Sequence, residues 1–176
     1  MILSYCYIEP CTNRLEREKA LSEAGRALLG KMLSDKGIVD YKIERDEKGR
    51  PFLSTHPQVD FNIAHSGDIA VCILSVGEGR VGVDVEKIFS DMPAERQERF
   101  LERFFQNSER EMGLSLAWTR KEAYLKYLSV GLNTELRSVD PGKDDSVRLD
   151  SFTVGEYNVT VCTKRDASML VVCAEK

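Results

Sequence analysis

Residues 59–87 read VDFNIAHSGDIAVCILSVGEGRVGVDVEK, and this stretch decides the fold. Residues 59–63 and 81–87 alternate between apolar and other residues, and a largely apolar run fills 69–76 between them, so each segment is predicted to be a β-strand. The turn residues His65-Ser66-Gly67-Asp68 separate the first two strands, and Gly77-Glu78-Gly79 separates the second from the third. The middle of the chain is therefore predicted to be strand-rich, with a break at 77–79.

Segments with helical periodicity lie both before and after residues 59–87. Apolar residues at helical spacing predict a helix over 15–33, and further helices are predicted over 93–105 and 114–130, the last closed by Gly131. Strands are predicted at 2–8 and, as a terminal hairpin, at 157–163 and 168–174. Both halves have the order strand, helical region, strands. We therefore predict two similar α+β lobes, residues 1–78 and 79–176, with a ligand cleft at their junction.

Composition narrows the class of protein. The 176 residues are 42% hydrophobic and 31% charged, which is typical of a globular protein, and the net charge of −4 argues against a general nucleic-acid binder. No apolar run has the length of a membrane span. Five cysteines without CxxC spacing favour a reduced, cytoplasmic protein, and two histidines argue against a multi-histidine metal site.

Two carboxylates stand out on the strand at 81–87. Asp84 and Glu86 are two residues apart, so on a strand they face the same side, about 6.6 Å apart at about 3.3 Å per residue. Paired carboxylates repel each other unless a cation lies between them, and Mg²⁺ prefers such ligands together with phosphate oxygens. Taken alone, the pattern is more typical of a solvated strand edge.

A second group of residues lies on the helix predicted at 114–130. Trp118, Glu122 and Lys126 are four residues apart and form one stripe, with about 6 Å of rise between neighbours. The ordinary interpretation is a surface ion pair between Glu122 and Lys126 with Trp118 in the core. The functional interpretation is a third carboxylate and a cation directed at a phosphate.

His65 and Ser66 lie where the first central strand is predicted to end. A turn with small neighbours and free N–H groups suits an anion, although an isolated turn histidine is more often incidental. Ser66 is at most a weak candidate nucleophile, because the spacing suggests no catalytic triad.

The stretches FNIAHSG, GVDVEKI and WTRKEAYLK, in this order and spacing, resemble the phosphopantetheinyl transferases, and more narrowly their larger, Sfp-type class. The resemblance implies a 4′-phosphopantetheinyl transferase fold, in which two α/β lobes, each an antiparallel three-stranded sheet with a long helix, form a pseudo-dimer within one monomeric chain. It implies transfer of 4′-phosphopantetheine from coenzyme A to a serine of an apo acyl or peptidyl carrier protein, with release of 3′,5′-ADP. Such proteins serve fatty-acid, polyketide or nonribosomal peptide synthesis.

The resemblance also implies roles for individual residues. Asp84, Glu86 and Glu122 would hold Mg²⁺, or Mn²⁺ in its place, on the pyrophosphate of coenzyme A. Glu122 would also take the proton of the carrier serine, and Lys126 would neutralise charge on the breaking pyrophosphate. The remaining coenzyme A contacts would come from basic and hydroxyl side chains, with His65 on the 3′-phosphate: Arg26, Arg50, His65 and Ser66.

The sequence departs from the family pattern at two notable positions. Ala64 stands where many relatives have serine, and Ser129 stands where glycine is frequent. Two other functions remain open: a different Mg²⁺-dependent enzyme that cleaves a pyrophosphate, and an inactive relative that only binds coenzyme A or carrier proteins. The arginines at 96, 99 and 103 share one helical stripe that would suit an acidic carrier, or form a solvated face balanced by neighbouring glutamates.

Overall fold

The computed structural model describes residues 1–88, 92–130 and 135–175. These ranges contain nine strands: β1 Ile2–Tyr7, β2 Ile43–Arg45, β3 Pro51–Leu53, β4 Val59–Ser66, β5 Ile69–Val76, β6 Val81–Lys87, β7 Val147–Val154, β8 Tyr157–Lys164 and β9 Val171–Ala174. They also contain four α-helices: α1 Arg14–Asp35, α2 Ala94–Phe104, α3 Asn107–Arg110 and α4 Leu114–Leu128. Two short 3₁₀ turns follow at Leu136–Ser138 and Pro141–Lys143. The α+β class is as predicted.

The strands form two main sheets and one small ribbon. The first sheet has the order β4-β5-β1-β9, the second has the order β6-β8-β7, and β2 pairs with β3. Neighbouring strands run antiparallel, except that β9 runs parallel to β1. Helix α1 lies on the first sheet and α4 on the second, so each half combines a sheet with one long helix.

The structure corrects the predicted strand partners at the end of the chain. The predicted hairpin between 157–163 and 168–174 is wrong, because β8 pairs with β6 and β7 while β9 adds a fourth strand to the first sheet. Strand β7 was not predicted, and it forms the actual hairpin with β8 around Gly155. A three-stranded sheet is therefore correct only for the second half. An apolar run predicts a strand but not the edge that it joins.

β5 lies at the centre of the fold. Its residues Ile69, Val71 and Ile73 face the apolar residues of the second sheet, and the alternate residues between them face α1. Because both faces are buried, the sequence of this strand is a continuous apolar run and not an alternating one. The core between the two sheets continues into β6 through its three valines.

The two sheets are joined directly along β4 and β6. Backbone N–H groups of β6 donate to side chains of β4, Val81 to Asp60 Oδ2 at 2.8 Å and Val83 to Asn62 Oδ1 at 2.9 Å. The predicted division at residue 78 stays a prediction, and β9 from the second half completes the sheet of the first half.

The long helices begin and end largely where the sequence predicts. The side chain of Asn13 caps α1, and Gly37, with a φ of +73°, follows its end. Helix α4 ends earlier than predicted, at Leu128, and Ser129 takes the left-handed conformation at its C-cap with a φ of 54°. The predicted stop at Gly131 lies outside the described residues. In the described parts of the chain, no helix combines the length and apolar character that crossing a bilayer requires.

Candidate active site

The carboxylates of β6 lie on the face of the second sheet that α4 covers. Val81, Val83 and Val85 point into the core between the sheets, so Asp84 and Glu86 point to the opposite face, as their alternation predicts. Helix α4 approaches this strand closely at Gly82, where an added Cβ atom would lie 2.6 Å from the backbone nitrogen of Tyr127. Glycine at this position therefore allows the helix to lie directly over the carboxylates.

The predicted stripe on α4 faces those carboxylates. Lys126 donates through Nζ to Asp84 Oδ1 at 2.6 Å and to the carbonyl of Val83 at 3.2 Å. Lys126 thus forms its ion pair across to β6, and the ordinary interpretation of a surface pair with Glu122 is wrong. Trp118, at the other end of the stripe, packs its ring 5.6 Å from that of Phe100.

Two carboxylate oxygens at this site are buried and have no hydrogen-bond partner among the described residues: Asp84 Oδ2 and Glu122 Oε1. Buried polar atoms are nearly always hydrogen-bonded, so a pair of unsatisfied oxygens on facing elements needs a physical explanation. Both oxygens are hard donors of the kind that bind Mg²⁺. In residues 1–88, 92–130 and 135–175, no group of three or more Asp, Glu, His or Cys side chains is arranged as a ready metal site.

Burial also shifts the acidity of these groups. It raises the pKa of Asp84 to about 6, an effect that the ion pair with Lys126 opposes. The negative charges of Glu122 and Glu86 add to the rise, which places the three carboxylates in one electrostatic cluster. Burial likewise raises the pKa of Glu122, again opposed by Lys126. A cation between these groups would relieve the cost of ionising them.

Glu86 lies at the rim of this cluster and connects it to the first sheet. Its Oε1 accepts a hydrogen bond from Ser66 Oγ at 3.2 Å, and Ser66 is the last residue of β4. His65 also belongs to β4, where it pairs with Ala70, so the prediction that it lies in a turn is wrong. The turn consists of the two residues Gly67 and Asp68, which are too few to include the histidine.

Two cavities lie beside this end of β4. One has a volume of about 610 Å³, contains Ser66 and Glu86 in its wall, and includes the rings of Phe100 and Trp118. The other has a volume of about 580 Å³ and contains Arg26 and His65. Successive residues of a strand face opposite sides, so His65 and Ser66 open onto different cavities. The structure therefore places His65 and Ser66 next to each other in the chain but in the walls of different cavities.

The predicted coenzyme A residues Arg26 and Arg50 have different surroundings. Arg26 is exposed on α1, where its guanidinium bonds to the carbonyl and hydroxyl of Ser22 at 3.1 and 2.9 Å. Arg50 is largely buried, and its guanidinium donates to the carboxylate of Asp60 and to three backbone carbonyls. The phosphate contact of Arg50 stays a prediction, and protein acceptors surround both terminal nitrogens of its guanidinium.

The sequence analysis missed polar residues that hold the site together. Asp60 and Asn62 lie on β4 and accept hydrogen bonds from β6, and Lys121 on α4 is fully buried against Glu109 at 3.0 Å. The alternation of Asp60 and Asn62 within an apolar strand was a signal for the first two. Lys121 gave no such signal, because the lysine is indistinguishable in sequence from a surface residue.

Comparisons with known proteins find similar sequences over most of this chain. The sequence profile of the 4′-phosphopantetheinyl transferase superfamily matches residues 80–168, which include β6 and α4. An L-aminoadipate-semialdehyde dehydrogenase-phosphopantetheinyl transferase from Xenopus laevis is 32% identical over 151 residues, covering 70% of this chain and 48% of that protein. The human protein of that name is 29% identical over 146 residues, covering 70% and 47%. The chain thus spans about half the length of these relatives. The 4′-phosphopantetheinyl transferase AcpT of Salmonella typhi is 31% identical over 158 residues, covering 80% of this chain and 74% of that protein.

Proposed function

This chain belongs to the 4′-phosphopantetheinyl transferase superfamily, and we propose that it transfers the 4′-phosphopantetheine moiety of coenzyme A to a serine of an apo acyl or peptidyl carrier protein. The observation that carries the proposal is the pair of buried oxygens on Asp84 and Glu122, unpartnered among the residues that the structure describes, beside the ammonium group of Lys126. Phosphoryl transfer needs mainly positioning and charge stabilisation, which are what such a cluster supplies.

The carboxylates are suited to hold a divalent cation. Asp84, Glu86 and Glu122 would supply the oxygen ligands of Mg²⁺, and the two unpartnered oxygens fit this role. When bound, the cation would neutralise and orient the pyrophosphate of coenzyme A. Mn²⁺ accepts the same oxygen donors, so we expect it to replace Mg²⁺.

Two residues of α4, Glu122 and Lys126, would carry out proton transfer and charge neutralisation. Glu122 takes the proton of the carrier serine as the serine oxygen bonds to the β-phosphorus of coenzyme A, and its raised pKa makes it a better base than an exposed carboxylate. The bond from that phosphorus to the bridging pyrophosphate oxygen breaks, and 3′,5′-ADP leaves with the bonding electrons. Lys126, within 2.6 Å of Asp84, stabilises the negative charge that develops on the leaving group.

The nucleotide end of coenzyme A would occupy the cavity that contains Arg26 and His65, and the two basic side chains support this placement. His65 would contact the 3′-phosphate there, while Ser66 opens toward the carboxylate cluster, so a ligand crossing the end of β4 reaches both. This contact is remote from the breaking bond. The substitution His65→Ala should therefore raise the KM for coenzyme A more than it lowers kcat.

The overall organisation that we propose is a monomeric pseudo-dimer that acts in the cytoplasm. Its support is that a long helix covers each of the two main sheets, and that β4 and β6 join these sheets through Asp60 and Asn62. The five cysteines carry free thiols, which suits a reducing compartment. Light scattering of the purified protein should give the mass of one chain, and a trimer would contradict the proposal.

The decisive experiment measures the intact mass of apo acyl and peptidyl carrier proteins after incubation with this protein, coenzyme A and Mg²⁺. We expect the mass of one phosphopantetheine group to be added to the carrier serine, much more slowly with the Glu122→Gln variant and not at all with chelator. Release of adenine nucleotide without carrier modification would indicate a different pyrophosphate-cleaving enzyme. Binding of coenzyme A without turnover would indicate an inactive relative. Comparing carriers of fatty-acid, polyketide and peptide synthesis would identify the preferred partner.

A further inference from the structure

We propose that Arg50, together with Asp60, is a positioning residue that fixes Lys126 and the start of β6 for transfer, and that it does not contact coenzyme A. The inference rests on the proposed function. Its starting point is that the arginine side chain is only 10% exposed, although it lies in the polar loop between β2 and β3. A largely buried cation in such a loop needs acceptors around it.

The acceptors come from three separate elements. One guanidinium nitrogen of Arg50 donates to the backbone carbonyl of Lys126, in the last turn of α4. The other donates to Asp60 Oδ2 at 2.7 Å, to the carbonyl of Val81 at 2.8 Å and to that of Phe61 at 3.3 Å. The side chain therefore links β4, β6 and α4, the elements that carry His65 and Ser66, the two strand carboxylates, and Glu122 with Lys126.

Arg50 and Asp60 each form a hydrogen bond with the backbone of Val81 in β6. Asp60 Oδ2 accepts from the backbone N–H of Val81 at 2.8 Å, while the carbonyl of Val81 accepts from Arg50. Both polar backbone groups of this residue are thus held by one ion pair. Val81 begins β6, three residues before Asp84, so its fixed position determines where that carboxylate emerges from the strand.

The contact with α4 acts at the other side of the cluster. The Lys126 carbonyl also accepts the backbone N–H of the C-cap residue Ser129 at 3.2 Å, and a cation at this end of a helix interacts favourably with the helix dipole. By holding the Lys126 carbonyl, Arg50 fixes the final turn from which the Lys126 ammonium group reaches Asp84 at 2.6 Å. One buried arginine thus fixes both partners of the ion pair.

Arginine suits this set of acceptors for a geometric reason. Its planar guanidinium presents several donors in fixed directions, whereas a lysine ammonium group is a compact point charge on a flexible stem. Lysine would serve equally well as a phosphate contact but could not span acceptors on three elements. The substitution Arg50→Lys therefore separates the two roles.

The test compares Arg50→Lys and Asp60→Asn with a matched control, Arg148→Lys. Arg148 lies on β7 and also bonds to one carboxylate and two backbone carbonyls, but it links β7 to residues 167 and 168, away from α4. We expect kcat for carrier modification to fall roughly 10- to 100-fold in both test variants. The KM for coenzyme A and the Kd for 3′,5′-ADP should stay within about twofold of wild type, because interactions shared by ground and transition states are unchanged.

Because the two test residues form one unit, the double variant should lose little more than either single variant. A higher KM or weaker 3′,5′-ADP binding with unchanged kcat would overturn the proposal in favour of a coenzyme A contact. Unchanged kinetics with a lower melting temperature would overturn it in favour of a purely structural role. The control should keep wild-type kcat, and an equal loss there would also contradict the proposal.

A measurement without catalysis distinguishes failure of this proposal from failure of the proposed function. The ¹³Cε NMR signal of Lys126, assigned by its loss in Lys126→Arg, reports the pairing with Asp84 in the metal-free protein. In Arg50→Lys this signal should move toward that of an exposed lysine, and in Arg148→Lys it should not move. An unmoved signal in Arg50→Lys would overturn the positioning role even if the wild type is active. A wild type without transferase activity would refute the proposed function alone.

Discussion

Helices α1 and α4 occupy equivalent places on their sheets but bury different kinds of residue. The buried residues of α1 are apolar or glycine: Leu21, Gly25, Leu28, Leu29, Met32 and Leu33. Helix α4 buries Lys121 and Thr119 beside its alanines and leucine, and it carries the half-buried Glu122 and Lys126. Burying polar groups costs folding free energy, so the contrast indicates a supporting role for α1 and a chemical role for α4.

The charges of α4 are themselves of two kinds. Lys121 is fully satisfied, with bonds to Glu109 and to the carbonyls of Phe104 and Leu136. One turn and a half further on, Lys126 pairs with an Asp84 carboxylate whose second oxygen finds no partner within the described parts of the chain. Lys121 therefore holds the surrounding segments together, while the carboxylate of Asp84 beside Lys126 is available for a ligand. Four predictions test this distinction.

The largest expected effect is on stability and concerns the satisfied charge. Lys121→Met should lower the free energy of unfolding by about 3–5 kcal/mol, because it leaves the carboxylate of Glu109 buried without its cation. Urea denaturation measures the change. The double variant Lys121→Met/Glu109→Leu should recover much of the loss, since it removes the orphaned charge. A single variant as stable as wild type would contradict the assigned role of this ion pair.

The next effect is on activity and concerns the unsatisfied charges. Glu122→Gln should lower kcat by about 10²–10³-fold, since it removes a preorganised charge and the proposed base. The folded state should persist, because the carboxylates of the cluster repel one another without a cation. Initial rates from intact-mass measurements test this, with Glu18→Gln on α1 as the control. Excess Mg²⁺ should partly restore Asp84→Ala but not Glu122→Gln, and wild-type turnover in Glu122→Gln would exclude this residue from the mechanism.

A third prediction concerns the pH dependence of stability in the metal-free protein. The pKa of Asp84 is raised from 3.8 to about 6 in the folded state, so the folded protein binds this proton more tightly than the unfolded chain. Its stabilising contribution is present below about pH 4 and is lost as the pH rises through about 6. The shift corresponds to about 3 kcal/mol. The difference in unfolding free energy between wild type and Asp84→Asn should show this slope, and a flat difference would contradict it.

The smallest effect concerns the end of α4. Ser129 adopts a φ of 54°, which glycine tolerates better, and its hydroxyl is buried without a partner among the described residues. Ser129→Gly should therefore raise the free energy of unfolding by about 1 kcal/mol. The control Ser129→Ala removes the hydroxyl but keeps the unfavourable conformation. Equal stabilisation by both variants would show that the hydroxyl, and not the backbone, is the source of the strain.

Several features of this protein follow from its sequence. The alternation over 81–87 places valines toward a core and Asp84 with Glu86 on the other face, because successive strand residues point in opposite directions. The four-residue spacing of Glu122 and Lys126 places them on one side of α4, because a helix turns every 3.6 residues. The order of the motifs indicated the family. The directions of the side chains on β6 and α4 are local properties, and the backbone geometry of a strand or a helix determines them.

Tertiary structure decided which partners these faces meet. Nothing in the sequence showed that β9 joins β1, that Lys126 pairs with Asp84 and not with Glu122, or that Arg50 is enclosed by acceptors from three elements. Such contacts join residues far apart in the chain, and their geometry depends on how the two sheets and helices pack. Local spacing determines the direction in which a side chain points, but the acceptor that it reaches depends on the backbone that folding brings beside it.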